Sequence, residues 1–315
     1  MGQVTSATGV KWIRQQFRWR EIEPQPGVFD FSSYDQFVLA AAQDGVHVLP
    51  LLYADPDWVA SSENVIPSDP SDYAAYVAAV VSRYGPHGSF WSEHPDLASY
   101  SIQTFELWNE PYYDNGDNGD YNPARYAQLV KAAAIAGRGA DSSAHFLLAA
   151  EMQGTDSSSG YLWWVDALYQ AVPDLNNYFD GVAVHPYGSD LSGVQYPTPG
   201  QAYTGYDQVR RIEVIRQQFI NHGAAAKPFW ITEVGWPTDC TGSNRCTSLA
   251  GQAANLSTVF NYATTGWKSF VRALFVYDYE DYAQGSTDPE NNYGITYKDG
   301  SAKPALAVFR SHASG

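Results

Sequence analysis

Two short strings hold the residues best suited to chemistry: Trp108-Asn109-Glu110-Pro111 and, much later, Trp230-Ile231-Thr232-Glu233. Each follows an apolar stretch that reads as a buried strand, and each sets a glutamate near the strand's C-terminal end. Two carboxyl groups aimed at one point suit cleavage of a sugar–sugar bond. One holds a proton for the leaving oxygen; the other, ionised, attacks the anomeric carbon. A lone glutamate at a strand end is usually a surface salt-bridge partner, but two in such strings at one rim argue against that. No G-x-S-x-G elbow, P-loop or dinucleotide fingerprint competes. The chemistry calls for no cofactor and no metal.

The elements that must position these glutamates alternate. Strands are predicted over 10–17, 46–53, 100–108, 145–151, 179–185, 228–233 and 271–278, several of them almost continuously apolar, as parallel strands buried on both faces are. Helical spacing fills the intervals, over 34–44, 70–84, 123–139, 160–171, 206–221, 248–264 and 303–312. Asp69 before Pro70 and Asn122 before Pro123 read as helix starts. Gly45, Gly85 and Gly223 stand where a left-handed residue would end a helix. The loops after strands (54–68, 109–121, 186–205, 234–247) are longer than those after helices, and in a βα-barrel such loops form the functional rim. The alternation runs without a break in composition, so one (β/α) TIM-type barrel domain over 1–315 is expected.

Only seven strands are recognisable. Residues 3–9 read as the tail of a helix, so the first strand of an eight-fold barrel is missing. A seven-stranded barrel would leave exposed edges unless another segment, or a second chain in a homo-oligomer, completes it.

Composition narrows the partners. With 18 basic against 34 acidic residues the formal charge is −16, which disfavours nucleic acid and anionic membranes. No apolar run of membrane-spanning length occurs. The 10 Trp, 23 Tyr and 14 Phe could stack on the apolar faces of sugar rings, although core packing must claim most of them. Cys240 and Cys246 lie in a short Gly/Ser/Asn loop; a disulfide there would suit an oxidising, extracytoplasmic compartment, the alternative being two free thiols. Met1-Gly2-Gln3-Val4 is not a signal peptide, so secretion would need a signal outside this sequence.

These strings resemble clan A of the glycoside hydrolases, retaining β-glycosidases on a TIM barrel, over about residues 9–312. Asn109-Glu110-Pro111 resembles the end of that clan's fourth strand. The resemblance makes Glu110 the acid/base and Asn109 the partner of the sugar's 2-hydroxyl. Thr232-Glu233-Val234-Gly235-Trp236 resembles the seventh-strand end, which makes Glu233 the nucleophile. Arg14-Gln15-Gln16-Phe17-Arg18-Trp19 resembles the second strand, whose arginine, here Arg14, steadies the nucleophile. His185-Pro186-Tyr187 resembles the sixth-strand end, with both side chains lining the site. The strand missing is then the clan's first. Where the clan often has a tryptophan after its eighth strand, this chain has Tyr277. The resemblance implies a carbohydrate substrate and a double displacement.

Each assignment has a plainer alternative. Arg14 could be a structural ion pair and His185 a hydrogen-bonded core histidine. Trp19, Trp58 and Trp236 could stack on sugar or pack the rim. Glu106, four residues before Glu110, should share its strand face but sit deeper, as a buried partner. Asp114 to Asp120 places oxygen ligands at alternate spacing, as a calcium loop does, but lacks the closing glutamate; a turn is the better reading. As a whole, a catalytically silent carbohydrate-binding barrel is the reading from another class.

Overall fold

A computed structural model of the chain describes residues 2–60, 64–112, 122–152, 154–157, 160–188, 209–243, 245–283 and 285–313. Among these, seven strands form one sheet: β1 (Trp12–Arg18), β2 (His47–Tyr53), β3 (Thr104–Leu107), β4 (His145–Ala149), β5 (Gly181–Val184), β6 (Phe229–Val234) and β7 (Val271–Val276). They pair in chain order and every ladder is parallel. Each predicted strand is present; β1 and β6 run one residue further than predicted, to Arg18 and Val234, and the others are shorter by a residue or more.

The α-helices of seven residues or more among the described residues are α1 (Gly2–Thr8), α2 (Ser32–Gln43), α3 (Ser71–Tyr84), α4 (Pro123–Ala140), α5 (Trp164–Ala171), α6 (Arg211–Asn221), α7 (Leu249–Thr264) and α8 (Pro304–Ala313). α4 starts as its sequence predicts: the Asn122 side chain accepts from Arg125 N over 2.9 Å, a side-chain N-cap ahead of Pro123. Three expectations are corrected. The helix predicted over 206–221 starts at Arg211. The helix predicted from 160 starts at Trp164, because Gly160–Trp163 pairs in an antiparallel hairpin with Gly154–Ser157. Gly45 and Gly223 have positive φ, but Gly85 has φ −61. Gly85 is needed for space instead: a Cβ there would stand 2.6 Å from the Val81 carbonyl oxygen.

The sheet curls into a partial (β/α) barrel. No ladder joins β1 to β7, so the wall is open on that side among the described residues. The physical mark of this is burial. β3 and β5 are buried throughout, whereas β1 and β7, with a neighbour on one side, are mostly half-exposed. Trp12 on β1 stacks on His47 with ring centroids 4.9 Å apart and meets Trp230 of β6 edge-on at 5.8 Å. α1 lies against α8, where Arg310 donates to the Ala7 carbonyl.

Side-chain alternation divides the core. Outward-facing strand residues such as Phe105, Leu107, Phe146, Leu148 and Ile231 pack with the helices, while Leu49, Leu147, Ala183, Trp230 and Phe275 fill the barrel's interior. Tyrosines of the helix layer then tie down the strand ends. Tyr126 of α4 donates to Leu107 O and accepts from Ala149 N, both over 2.8 Å, which staples β3 to β4. Tyr73 and Tyr76 of α3 donate to Leu52 O at 2.7 Å and Phe17 O at 2.5 Å. The rim that carries the glutamates is therefore held from outside by buried hydroxyls.

Candidate active site

Above the apolar interior the barrel turns polar. Arg14 rises from β1, Glu106 from β3 and Thr232 from β6, and their side chains meet on the axis. Arg14 grips Glu106 with Nε to Oε2 at 2.6 Å and Nη2 to Oε1 at 3.1 Å. Its third arm, Nη1, reaches Glu233 Oε1 at 2.5 Å, and Nη2 also donates to Asn109 Oδ1 at 3.1 Å. The Thr232 hydroxyl donates to Glu106 Oε1 at 2.9 Å. A planar guanidinium with five donors is what such a three-way junction requires; a lysine could not make it.

The second glutamate arrives by a bend. Trp108 and Glu110 have φ of 69° and 45°, a conformation that L-residues with bulky side chains rarely adopt. Trp108 is anchored through it by Trp108 N to Leu52 O at 3.0 Å and by edge contact with Tyr73 at 5.4 Å between centroids. The turn brings Glu110 to His185 Nδ1, 2.8 Å from its Oε1. His185 Nε2 meets the Thr232 hydroxyl at 3.1 Å, and the Tyr187 hydroxyl donates to Glu233 Oε2 at 2.7 Å. One polar atom each from Glu110, His185 and Glu233 lie within 4.8 Å of one another. The two carboxyl groups thus face each other across one mouth.

Charges in this cluster determine one another. Burial opposes ionisation of Glu106, but the charge of Arg14 and bonds from His185 and Arg14 outweigh it and bring the pKa down to about 2. Burial also works against Glu233, and the cations His185 and Arg14 with the Tyr187 hydroxyl hold it below the usual carboxylate range. His185 is pulled down by burial and up by Glu233, Glu106 and Glu110; the carboxylates win and raise it to about 10. Burial, then the Glu233 charge, push Tyr187 well above a free phenol, so it stays a donor. Three donor atoms this close could in principle bridge a metal ion. Arg14 and the Tyr187 hydroxyl already occupy the two oxygens of Glu233, however, and the guanidinium charge opposes a second cation there.

The aromatic expectations divide. Tyr277, beyond β7, is half-buried beside Tyr187 and Tyr293, with centroids 6.3 and 5.3 Å away. Trp58 is half-buried, bonded through Nε1 to Glu23 O at 3.1 Å. Trp19 and Trp236 are corrected: both are fully buried and present no face to a sugar. Trp19 stacks on Tyr76 and donates to Glu23 Oε2 at 2.6 Å; Trp236 donates to the Gly188 carbonyl. Gly235 lets the β6 and β7 ends close together, since a Cβ there would stand 1.7 Å from Tyr277 O. Cys240 and Cys246 are joined by a disulfide, which closes the loop that carries Arg245 over the Tyr187 ring at 5.9 Å. Asp114 to Asp120 lies outside the described residues.

Comparison with solved structures bears on this fold. The chain aligns with a family 39 glycoside hydrolase from the gut symbiont Bacteroides cellulosilyticus WH2 at TM-score 0.68 and 20% identity, over 99% of this chain and 60% of that one. The shared fold is a (β/α) barrel, partial in this chain. A monomeric beta-xylosidase from Caulobacter crescentus CB15 aligns at TM-score 0.64 and 19% identity, over 98% of this chain and 62% of that one. Native xylanase 10B from Thermotoga maritima aligns at TM-score 0.59 and 14% identity, covering 96% and 86%. At these identities the likeness is one of fold, and the chain spans about three fifths of the length of the first two glycoside hydrolases. No protein-family model and no curated protein sequence matches the chain.

Two parts of the cluster were not assigned from the sequence. Thr232 stands in the sequence as a motif neighbour of Glu233, yet it links His185 to Glu106. Arg211, at the first turn of α6, lies behind His185 and Tyr187. A signal for Arg211 existed: a cation at a helix N-terminus opposes the helix dipole and needs a tertiary reason.

Proposed function

We propose that this protein is a retaining β-glycoside hydrolase acting on β-linked polysaccharide or oligosaccharide. The observation that carries this is the approach of Glu110 and Glu233 across one mouth, within the 4.8 Å cluster they form with His185. Retaining pairs stand about 5–5.5 Å apart, and a closest oxygen approach within 4.8 Å is compatible with that class. Fold likeness to proteins described as a xylosidase and a xylanase agrees with a glycosidase.

In the first displacement the Glu233 carboxylate attacks the anomeric carbon. The bond to the leaving oxygen breaks, and that oxygen takes a proton through Glu110, whose Oε1 lies 2.8 Å from the protonated His185 Nδ1 that supplies it. In the second, Glu110 takes a proton from water, the water oxygen attacks the same carbon, and the bond to Glu233 breaks. Arg14 and Tyr187, one on each oxygen of Glu233, keep it ionised and aimed. Asn109, oriented by Arg14, supplies the contact to the sugar's 2-hydroxyl. Tyr277 serves as the floor under the cleaved sugar. The disulfide agrees with a secreted enzyme.

The test is turnover of 4-nitrophenyl β-xyloside, β-glucoside, β-galactoside and β-mannoside by the wild type and by Glu233→Ala, with the product anomer read by NMR. Turnover with retained configuration in the wild type, and its loss in the variant, are expected. Sugar binding without turnover in either protein would overturn the proposal and leave a carbohydrate-binding barrel.

A further inference from the structure

Behind the site lies a buried ion pair separate from the two facing carboxylates. Arg211, the first residue of α6, and Glu151, just beyond β4, are each 2% exposed. Arg211 Nε donates to Glu151 Oε1 over 2.8 Å, and the same oxygen accepts from Met152 N at 2.6 Å. The other arms of the guanidinium reach backbone. Nη2 donates to His185 O at 2.9 Å, and Nη1 donates to Tyr187 O. These carbonyls flank Pro186, just past the last ladder residue of β5, Val184. Tyr187 N folds back on His185 O at 2.8 Å, so the tripeptide makes a tight turn with one cation on both of its ends.

We infer that Arg211, held by Glu151, is a positioning residue that sets His185 and Tyr187 against the two catalytic glutamates. Two fixed carbonyls on either side of a proline leave the intervening backbone no freedom to rotate. The side chains that leave this turn are the ones that touch Glu110 and Glu233, at 2.8 and 2.7 Å. One guanidinium thus governs a partner of each reacting carboxyl. A pair serving stability alone could be replaced by apolar residues of similar volume at little cost or with a gain; a positioning pair could not be replaced without loss of rate.

The inference rests on the proposed reading of Glu110 and Glu233, so its test has one arm that needs no turnover. The variants are Arg211→Lys, which keeps the charge but cannot span two carbonyls, and the double variant Arg211→Met with Glu151→Met, which leaves no buried charge unpaired. Both are expected to fold and to show kcat lower by roughly tenfold to hundredfold with KM changed less than about threefold. NMR titration of the His185 ring is the second arm. Glu106, Glu110, Glu233, Arg14 and the Tyr187 hydroxyl surround that ring, and in the variants it should titrate at lower pH by at least about one pH unit as its carboxylate contacts loosen. A folded double variant with wild-type kcat and an unmoved His185 titration would overturn the inference. If the double variant does not fold, Arg211→Lys decides by the same two readings. Absent turnover in the wild type would count against the proposed function, while the titration alone would decide the positioning role.

Discussion

The Tyr187 hydroxyl donates to Glu233 Oε2 over 2.7 Å. With Arg14 on the other oxygen, both lone-pair faces of that carboxylate are held before any substrate arrives. Hydrogen bonds to a charged group are worth about 1.5–3 kcal/mol, and each 1.4 kcal/mol is a factor of ten. Tyr187→Phe should therefore lower kcat on aryl β-glycosides about tenfold to hundredfold with melting temperature nearly unchanged. An unchanged kcat would show that Arg14 alone suffices to hold Glu233.

Glu106 is 1% exposed and carries two of the bonds that orient Arg14. Glu106→Gln leaves the guanidinium only partly compensated and should cost about 3–5 kcal/mol of stability at pH 7, read by urea denaturation. The folded pKa of Glu106 is depressed to about 2, so its contribution is present above the ordinary carboxylate range and is lost as pH falls towards 2. The gap between wild type and variant should accordingly narrow from pH 5 to pH 2. A gap that stays constant over that range would place the stabilisation elsewhere.

His185 titrates in the opposite sense. Its folded pKa is raised from 6.5 to about 10 by the carboxylates that outweigh its burial. The stabilisation it brings is complete below about pH 6.5 and disappears as pH rises through 10. Wild type should lose melting temperature between pH 7 and pH 10.5 more steeply than His185→Gln. Parallel curves for the two proteins would mean that the ring is neutral when folded.

Asp55, at the end of β2, is fully buried. Its Oδ2 accepts from Val65 N at 3.1 Å, and its Oδ1 has no partner among the described residues. Burial raises its pKa from 3.8 to about 8, so the folded state disfavours the charge increasingly from pH 4 to pH 8. Asp55→Asn should raise the melting temperature by at least about 3 °C at pH 8 and by little at pH 4. Equal effects at both pH values would contradict a carboxyl held neutral by burial.

How much of this was legible in advance follows from the range of each signal. Seven strands and their helices could be read because apolar runs and helical spacing are local, and a strand buried on both faces must be apolar almost throughout. Glu110 and Glu233 could be found because each sits in a short string at a strand end; Glu106 could be read as a buried partner from strand alternation, although Glu110 itself lies past the strand, after the bend at Trp108. The open side between β1 and β7 was already implied by the strand count.

Tertiary structure decided what depends on contacts between distant segments. The buried state of Trp19 and Trp236 follows from neighbours such as Tyr76 and Gly188, which no local pattern names. Gly85 proved to answer a close approach by Val81 rather than a left-handed turn. Arg211 met Glu151 and the two carbonyls around Pro186 only when α6 docked behind β5. A sequence records which groups are available and how each segment prefers to lie. Which oxygen faces which nitrogen in the barrel's mouth is set by packing the whole ring of strands, because each distance there joins residues from different ladders.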